Sequence, residues 1–524
     1  MKGLFLIIGV LLSSWALSHK DWAATEYPSI KIHRPTPLPD RVVLTWEADP
    51  STTQSVTWRT DISVKNGLAQ LAEANANGRA LKPKTFDAET TFFQSDINKA
   101  HYHTVTFRDL KPNSLYAYRV GDGVNFTEYY QFKTASNMAE PFSFIYFGDA
   151  QNEVRTHWSR VFREAFRDAP RAAFTLHAGD LVDRNYSDSE WGDWHQGPDW
   201  VNGTVPVIAT PGNHEYRKIG QGSRNERYWA TKFGQVVNIE MTSMDQNKGD
   251  QGTLYKVSFL GPSEIVAYME FNDSGQITFL DNGVETITGF TKSELLGTNF
   301  YGAPLFDRQR NPGTPAVSTH WRPQFAFPIQ DPPSADLFET VYFIDYQGVR
   351  FISLDSNKAK ESQVSWLRRV LENNPNKWTI VTFHHPVFSP ASDRDNPKLR
   401  ELWKPVLDEF KVDLVLSGHD HTYARTGQVD SSNIVNVPEG YKQSYDPKIG
   451  TVYVVSVSGP KMYKVTKGAF AKRTAEDTQL YQVIDINDIN LTYKAFTATG
   501  ELYDLFTLQK QVGKANLLVE GEIN

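Results

Sequence analysis

The chain has 524 residues, of which 40% are hydrophobic, 13% aromatic and 22% charged. This is enough sequence for about two to four folded domains and argues against a largely disordered protein. The formal net charge of −7 gives no electrostatic reason to expect nucleic-acid binding. The absence of cysteine excludes disulfides, thiolate catalysis and cysteine-ligated zinc.

The first residues have the pattern of a secretory signal peptide. Lys2 precedes a short apolar run, and small residues follow at Ala16 and Ser18. The run is too short to cross about 30 Å of hydrocarbon comfortably, so a membrane anchor is the less favoured alternative. We therefore expect a signal peptide over residues 1–18, no transmembrane segment after its cleavage, and a secreted or periplasmic protein.

Residues 26–136 contain short β-branched and aromatic runs separated by turn residues, which predicts an all-β sandwich. The stretch LKPNSLYAYRVGDG within it resembles a strand pair of a fibronectin type III domain. His101 and His103 face one side of a predicted strand with no acidic partners close in sequence, so we interpret them as surface or packing residues.

From Glu140 the pattern changes to apolar runs that alternate with helix-like stretches, which predicts a layered α/β domain over 140–510. The apolar runs are nearly continuous, as expected for strands covered on both faces of a sheet. The predicted helices are HWSRVFREAFRDA, ESQVSWLRRVLENN and PKLRELWKPVLDEFK.

An insert at about 235–319 does not fit this alternation. Within it, residues 273–300 (DSGQITFLDNGVETITGFTKSELLGTNF) resemble the middle of a PAS sensor domain. The insert is short for a complete domain of that kind. Of the two interpretations, a functional sensor and an insertion over the rim of an active site, we favour the second.

Polar side chains follow five of the predicted strands in the 140–510 region. Ligands of open α/β sheets bind outside the carboxyl ends of the strands, so we expect these side chains to meet. Each motif alone is more typical of an ordinary turn, but together they form a nitrogen and oxygen ligand set that suits zinc, manganese or iron. The residues are Asp149, Asp180, Asn213 with His214, His384 with His385, and His419 with His421.

The motifs also carry a family resemblance. GD at 179–180, GNHE at 212–215, VTFH at 381–384 and GHDH at 418–421 resemble, in this order, the calcineurin-like metallophosphoesterases. The preceding sandwich makes the chain similar to the purple acid phosphatases. The resemblance implies a β-sandwich followed by a layered α/β/β/α catalytic domain with two metal ions.

The resemblance also implies a role for each motif residue. His214 would stay off the metals and act on the substrate phosphate as a catalytic residue, and His385 would support the site from behind. A water activated by the two metals would attack phosphorus, and the metals would be iron, zinc or manganese. The implied ligands are Asp149 and His421 for the first metal, Asp180 for both, and Asn213, His384 and His419 for the second.

Two positions depart from the family pattern. Asp183 stands where purple acid phosphatases have the tyrosine that binds ferric iron, and Tyr186 is out of register with it. Gln151 stands where other members of the superfamily have a histidine in their first motif. Gln151, Asp183 or water would then complete the first metal, and a ferric, purple site is not expected.

Three functions agree with the sequence. The first is hydrolysis of small phosphomonoesters by an exported acid phosphatase-like enzyme. The second is a phosphodiesterase or nucleotide hydrolase on the same scaffold. The third is a non-enzymatic binding protein with a degenerate metal site, which the retention of all the motif ligands disfavours. The sequence leaves the oligomeric state open.

Overall fold

The computed structural model describes residues 29–218, 227–230, 236–244, 254–260, 266–272, 276–298, 305–306, 315–391, 393–429, 450–466 and 470–523. The predicted signal peptide lies outside these residues. The chain divides into two units, Met1–Arg34 and Pro35–Asn524, and the described residues of the first unit include a short helix, α1 (Ser29–Ile32). Within the described ranges, no helix is long and apolar enough to cross a membrane.

The predicted sandwich consists of two four-stranded antiparallel sheets, in the orders β1-β2-β6-β5 and β4-β3-β7-β8. Its core contains Trp58, Phe107 and Tyr118, which alternate with polar residues along their strands as the two-residue period of a strand requires. The strands are β1 (Asp40–Thr45), β2 (Gln54–Thr60), β3 (Leu68–Glu73), β4 (Lys84–Asp87), β5 (Glu89–Gln94), β6 (Lys99–Phe107), β7 (Leu115–Gly121) and β8 (Tyr130–Lys133).

The region after the sandwich, for which the family resemblance implies a catalytic role and which we call the catalytic region, begins with three parallel strands and two helices. Phe144 faces a second sheet, where it contacts Phe351, while Phe147 on the other face stacks on Phe162 of the helix that follows. Buried residues at helical spacing, Val161, Phe162 and Ala165, hold this helix on the sheet. The elements are β9 (Phe142–Phe147), α2 (Ser159–Asp168), β10 (Thr175–His177), α3 (Asp188–Gln196) and β11 (Val207–Ala209).

The insert forms a six-stranded antiparallel sheet of its own, in the order β17-β16-β15-β14-β13-β18, joined to the catalytic region through the pair β12–β19. Asp281 caps helix α4, and Thr291 with Glu294 forms a capping box on α5. The elements are β12 (Tyr216–Lys218), β13 (Arg227–Ala230), β14 (Val236–Met244), β15 (Leu254–Leu260), β16 (Val266–Phe271), β17 (Ile277–Leu280), α4 (Asn282–Thr288), α5 (Lys292–Leu295), β18 (Leu305–Phe306) and β19 (Pro315–Val317).

The second sheet of the catalytic region has the order β20-β21-β22-β23-β25-β24-β26 and is parallel from β21 to β25. Phe351 faces the first sheet and Ile352 faces helices α7 and α8, so both faces are buried. The elements are α6 (Trp321–Gln324), β20 (Tyr342–Tyr346), β21 (Val349–Ser353), α7 (Gln363–Glu372), β22 (Trp378–Thr382), α8 (Pro397–Glu409), β23 (Leu414–Ser417), β24 (Tyr423–Val429), β25 (Thr451–Val455) and β26 (Arg473–Ala475).

The C-terminal strands complete the first sheet, whose order is β11-β10-β9-β27-β28-β29-β30. They pair antiparallel and extend the sheet from β9, away from the parallel strands. The region is thus a layered α/β/β/α structure, and the predicted fold class is confirmed. The strands are β27 (Leu480–Ile486), β28 (Asn490–Thr497), β29 (Leu502–Gln509) and β30 (Leu517–Glu520).

A cluster of buried charges joins the sandwich to the catalytic region. Arg41 Nη1 lies 2.6 Å from Asp188 Oδ1, and Arg59 Nη1 lies 3.3 Å from Asp188 Oδ2. Arg59 also pairs with Asp40 at 2.6 Å. We call Asp40, Arg41, Arg59 and Asp188 the interface cluster; its two positive and two negative charges balance.

Candidate metal centre

The motif residues follow strands of both sheets, at the point where the two sets of carboxyl ends meet. The loops approach each other so closely that side chains are excluded beside the ligands. A Cβ at Gly418 would lie 2.4 Å from Asp149 Oδ2, and one at Gly212 would lie 2.1 Å from Asp180 Oδ1. The glycines next to these ligands therefore have a steric cause at both positions.

Three predicted ligands converge around one ring nitrogen of a fourth, His384. Its Nε2 lies 3.1 Å from Asp180 Oδ2 and 3.1 Å from Asn213 Oδ1. Nδ1 of His419 lies 3.1 Å from the same nitrogen. The other ring nitrogen of His384 is 2.9 Å from the backbone oxygen of Ala178 and donates to it, which directs the Nε2 lone pair toward the cluster. We call Asp180, Asn213, His384 and His419 the second group.

Asp180 also belongs to a neighbouring cluster with Asp149 and His421. Oδ1 of Asp149 lies 3.7 Å from His421 Nε2, is buried, and has no hydrogen-bond partner among the described residues. Nδ1 of His421 donates to the backbone oxygen of Lys461 at 2.8 Å, so its Nε2 lone pair also faces inward. Gln151 reaches into this cluster. We call Asp149, Gln151, Asp180 and His421 the first group.

Both groups fit cations. The ligand atoms of Asp180, His384 and His419, and those of Asp149, Asp180 and His421, all lie within 4.8 Å of one another in each trio. Burial keeps the pKa of His419 well below its usual value and lowers that of His421 to about 4, so both rings are neutral and have a free lone pair. Neutral imidazoles with buried carboxylates and an amide oxygen are the donor set of zinc, manganese and iron sites.

Without a cation, the buried carboxylates of the centre have to be neutralised within the chain. Burial, together with the charge of Asp180, raises the pKa of Asp149 well above its usual range. Burial alone would lower the pKa of His384, but the carboxylate of Asp180 raises it to about 9. A protonated His384 is thus the internal substitute for a bound cation.

Glu215 is a residue of the centre to which the sequence analysis assigned no role. It is fully buried, and its carboxylate accepts hydrogen bonds from the backbone N–H groups of Asp180 (2.8 Å), Leu181 (2.7 Å) and Gly212 (2.7 Å). It therefore fixes the loop of Asp180 against the loop of Asn213. The last letter of the GNHE motif was the available signal for this role.

His214 lies at the partly exposed side of the centre, and Asp183 lies beside it. Nδ1 of His214 is 2.5 Å from the backbone oxygen of Asp183 and 3.4 Å from its Oδ1. Gln151, Asp183 or water was expected to complete the first metal; Gln151 contacts Asp180 and His421, whereas the side chain of Asp183 lies beside His214. Tyr186 is 43% exposed and contributes nothing to either group.

The remaining histidines support other contacts. His385 packs against His419, with the ring centroids 4.2 Å apart and the rings tilted by 46°, and is hydrogen-bonded to Ser356 Oγ at 2.8 Å. His103 is buried and hydrogen-bonded to Thr60 Oγ1 at 2.8 Å, so it is a packing residue, as predicted.

Arg394 and Tyr463 line the outer side of the centre and were missed from the sequence. Nη2 of Arg394 lies 2.8 Å from His419 Nε2, and its guanidinium lies 4.9 Å from the ring of Tyr463. That ring packs on His421 with centroids 4.7 Å apart. The signal was weak, because both residues sit in loops with no strand or motif to mark them.

Comparison with known proteins agrees with this geometry. Residues 143–423 match the calcineurin-like phosphoesterase family, and residues 39–134 match the N-terminal domain of purple acid phosphatases. A purple acid phosphatase from seeds of yellow lupin (Lupinus luteus) has a similar structure, with a TM-score of 0.60 and 17% identity over 90% of this chain and 74% of the other. PhoD aligns with a TM-score of 0.52 and 12% identity over 96% of this chain and 94% of the other.

Curated relatives match shorter stretches. An uncharacterized protein of Mycobacterium tuberculosis is 31% identical over 18% of this chain and 20% of its own length. Acid phosphatase type 7 of Danio rerio is 30% identical over 32% of this chain and 34% of its own length. Probable inactive purple acid phosphatase 1 of Arabidopsis thaliana is 25% identical over 78% of this chain and 58% of its own length. The chain thus covers from a fifth to less than two thirds of these relatives.

The family match extends over more than half of the chain and includes every predicted ligand. The fold, with a sandwich before a layered catalytic region, agrees with the lupin enzyme at a level of identity that shows the fold alone. The chain belongs to the calcineurin-like phosphoesterases, with the N-terminal domain of the purple acid phosphatases.

Proposed function

We propose that the protein is a metal-dependent phosphoester hydrolase that acts on small phosphomonoesters. The observation that carries this proposal is the pair of ligand groups that share Asp180. A carboxylate common to two groups is what two cations about 3.5–4 Å apart require. The N-terminal pattern of Lys2, an apolar run and small residues supports the further proposal that the enzyme is exported.

We assign the ligands as the family resemblance implies. Asp149 and His421 would hold the first metal, Asp180 both metals, and Asn213, His384 and His419 the second. The inward lone pairs of His384 and His421 support the assignment, since each ring has its Nδ1 proton committed to a backbone oxygen. When bound, the ions would supply Lewis acidity and lower the pKa of a water molecule toward about 7.

His214 is proposed to act on the leaving group. Its Nδ1 is held by the backbone oxygen of Asp183, which leaves Nε2 as the atom that can carry a proton to the leaving oxygen. Its side chain is 27% exposed, so a substrate can reach it from solvent. Asp183 would orient this ring rather than bind metal.

A binding protein with one metal is the second candidate. It is favoured by the amide of Gln151, which lies in the first group between two expected ligands. The longest-matching relative among those above is named as a probable inactive member of the family. On this reading the second group would bind a cation and the first would not.

The deciding experiment compares hydrolysis of p-nitrophenyl phosphate with that of bis-p-nitrophenyl phosphate. Purified protein would be scanned over pH and over added iron, zinc and manganese, with metal content measured on the same samples. We expect the monoester to be preferred and Asn213→Ala to abolish its hydrolysis. Asn66→Ala, on the exposed surface of the sandwich, is the matched control.

A preference for the diester would still support the proposed metal centre, but the proposed activity would then be that of a phosphodiesterase. Metal binding without hydrolysis of either ester would favour the binding protein. His214→Ala should lower turnover while leaving the metal content close to wild type. Equal loss of both would remove the proposed role of His214.

A further inference from the structure

Gln151 lies in the first group with only one end of its side-chain amide hydrogen-bonded. The residue is fully buried. Its Nε2 lies 3.1 Å from Asp180 Oδ2 and 3.0 Å from His421 Nε2, and it donates to both. Its Oε1 is buried and has no hydrogen-bond partner within the described part of the chain. A buried amide oxygen left unpaired is costly, so the residue is only half satisfied in this arrangement.

The two contacts of the amide are made to atoms that a cation in the first group would need. A side-chain amide has a donor face and an acceptor face, and the terminal torsion of glutamine is broad and roughly two-fold. Rotation about that torsion exchanges the two faces. It would turn Oε1 toward Asp180 and His421, an arrangement of lone pairs that is repulsive without a cation and favourable with one.

We propose that Gln151 is a conditional ligand of the first metal. In the metal-free protein its amide N–H groups satisfy Asp180 and His421. In the loaded protein the amide is reversed, and Oε1 takes the ligand place that a histidine or tyrosine has in related enzymes. The inference rests on the proposed function, because it takes the first group to be a metal site.

Asp183, the other residue considered as a ligand of the first metal, lies beside His214 instead. Asp183 faces His214 at 3.4 Å, and no contact of its carboxylate with Asp149 or His421 occurs among the described residues. Gln151 therefore stands alone as the additional protein ligand that reaches the first group in the described structure. It offers a neutral oxygen, whereas tyrosinate would offer a charged one.

This geometry predicts that the two groups bind metal with different affinities. In the second group, Oδ1 of Asn213 already faces His384 Nε2, so no amide has to reverse there, although Gln151 Nε2 also donates to the shared Asp180 Oδ2. A metal entering the first group must first break two hydrogen bonds of Gln151 and then gains only a neutral ligand. The second group should therefore fill first, and the first group should fill at a higher metal concentration.

The test is a calorimetric titration of the metal-free protein with Zn²⁺, repeated with Co²⁺ while the visible absorption is followed. Wild type should show two separate binding events. Gln151→Leu, which keeps the shape but has no ligand atom, should weaken the weaker event about 10–100-fold and leave the tighter event unchanged. Gln151→Glu and Gln151→His should both strengthen the weaker event and bring the two affinities closer.

Gln94→Leu on the surface of the sandwich is the control substitution, and thermal unfolding of each metal-free variant checks that it folds. If Gln151→Leu leaves both events unchanged, or strengthens the weaker one, the amide is not a ligand and the inference is wrong. A single event in wild type would also overturn it. If wild type binds neither metal, the proposed function itself fails, which is a distinguishable result.

Discussion

The interface cluster and the metal centre are both built from charges buried inside the protein, yet their charge balance differs. In the interface cluster, Asp188 lies within 2.6 Å of Arg41 and 3.3 Å of Arg59. In the metal centre, Asp149 and Asp180 have imidazoles as their ion-pair partners, and no Lys or Arg within the described residues lies in salt-bridge range of them.

The pKa values follow this difference. Burial would raise the pKa of Asp188, but the guanidinium groups of Arg41 and Arg59 hold it well below its usual range. Burial and the neighbouring carboxylate instead raise the pKa of Asp149 well above its usual range. A buried charge that is paired within the chain stabilises the fold, whereas one that is left unbalanced requires a partner from outside.

The largest expected effect comes from removing the shared carboxylate. Asp180→Asn should abolish binding of both metals and lower kcat/KM about a thousandfold or more, because bound ions supply several kcal/mol of transition-state stabilisation. The metal-free variant should be less stable than metal-free wild type, because His384 loses the carboxylate that is paired with it and raises its pKa. Metal analysis, phosphatase assays and urea unfolding measure the three quantities. A metal-free variant as stable as metal-free wild type would show that the pair of Asp180 and His384 does not stabilise the fold.

In the interface cluster, we expect the corresponding substitution to lower stability and to leave activity unchanged. Asp188→Asn should lower the free energy of unfolding by about 3–5 kcal/mol, because two buried guanidinium groups lose their carboxylate. Activity per folded molecule should not change. Asp40→Asn, at a carboxylate that is 42% exposed, is the milder control and should cost less. Urea unfolding and active-site titration separate stability from activity.

Removal of metal by a chelator is a second way to distinguish the contributions of the two clusters to stability. Metal that binds only the folded state at a thousand times its Kd stabilises by about 4 kcal/mol, so a chelator should lower the thermal midpoint of wild type. Asp188→Asn should show the same chelator-induced decrease from a lower starting point. Asn213→Ala should show a smaller decrease. Equal decreases in all three proteins would mean that the stabilising metal binds elsewhere.

The meeting of these side chains was largely predictable from the sequence, because polar residues that follow the strands of an open α/β sheet come together at its carboxyl edge. Asp149, Asp180 and His384 come together as expected. The choice between Gln151 and Asp183 was not predictable, since it depends on the direction of a loop after β10. Arg394 was missed because its contact with His419 joins two loops with no periodic pattern.

The fold, too, was predictable in some parts and not in others. The predicted helices of the catalytic region are confirmed as α2, α7 and α8, each marked by apolar residues at helical spacing. In the insert, the PAS-like residues supply β17, α4 and α5, while the other strands of their sheet lie outside them in the chain: β13–β16 precede them and β18 follows them. The extent of that sheet was missed because local patterns do not reveal which strands pair when the partners lie outside the recognised segment.

The smallest expected effect is on the pH dependence of stability. The two clusters differ in the direction of their pKa shifts, since the pKa of Asp188 is lowered and that of Asp149 is raised. The pKa of Asp188 is depressed in the folded protein, so its stabilising contribution is present above its unfolded pKa of about 3.9 and is lost as pH falls through the folded value. The difference in unfolding free energy between wild type and Asp188→Asn should therefore stay constant from about pH 8 to pH 5 and shrink below about pH 4. Urea unfolding of both proteins across this range, in chelator, measures it. A difference that already shrinks between pH 7 and pH 5 would show that Asp188 titrates in that range, and the carboxylate would then be no better balanced than those of the metal centre.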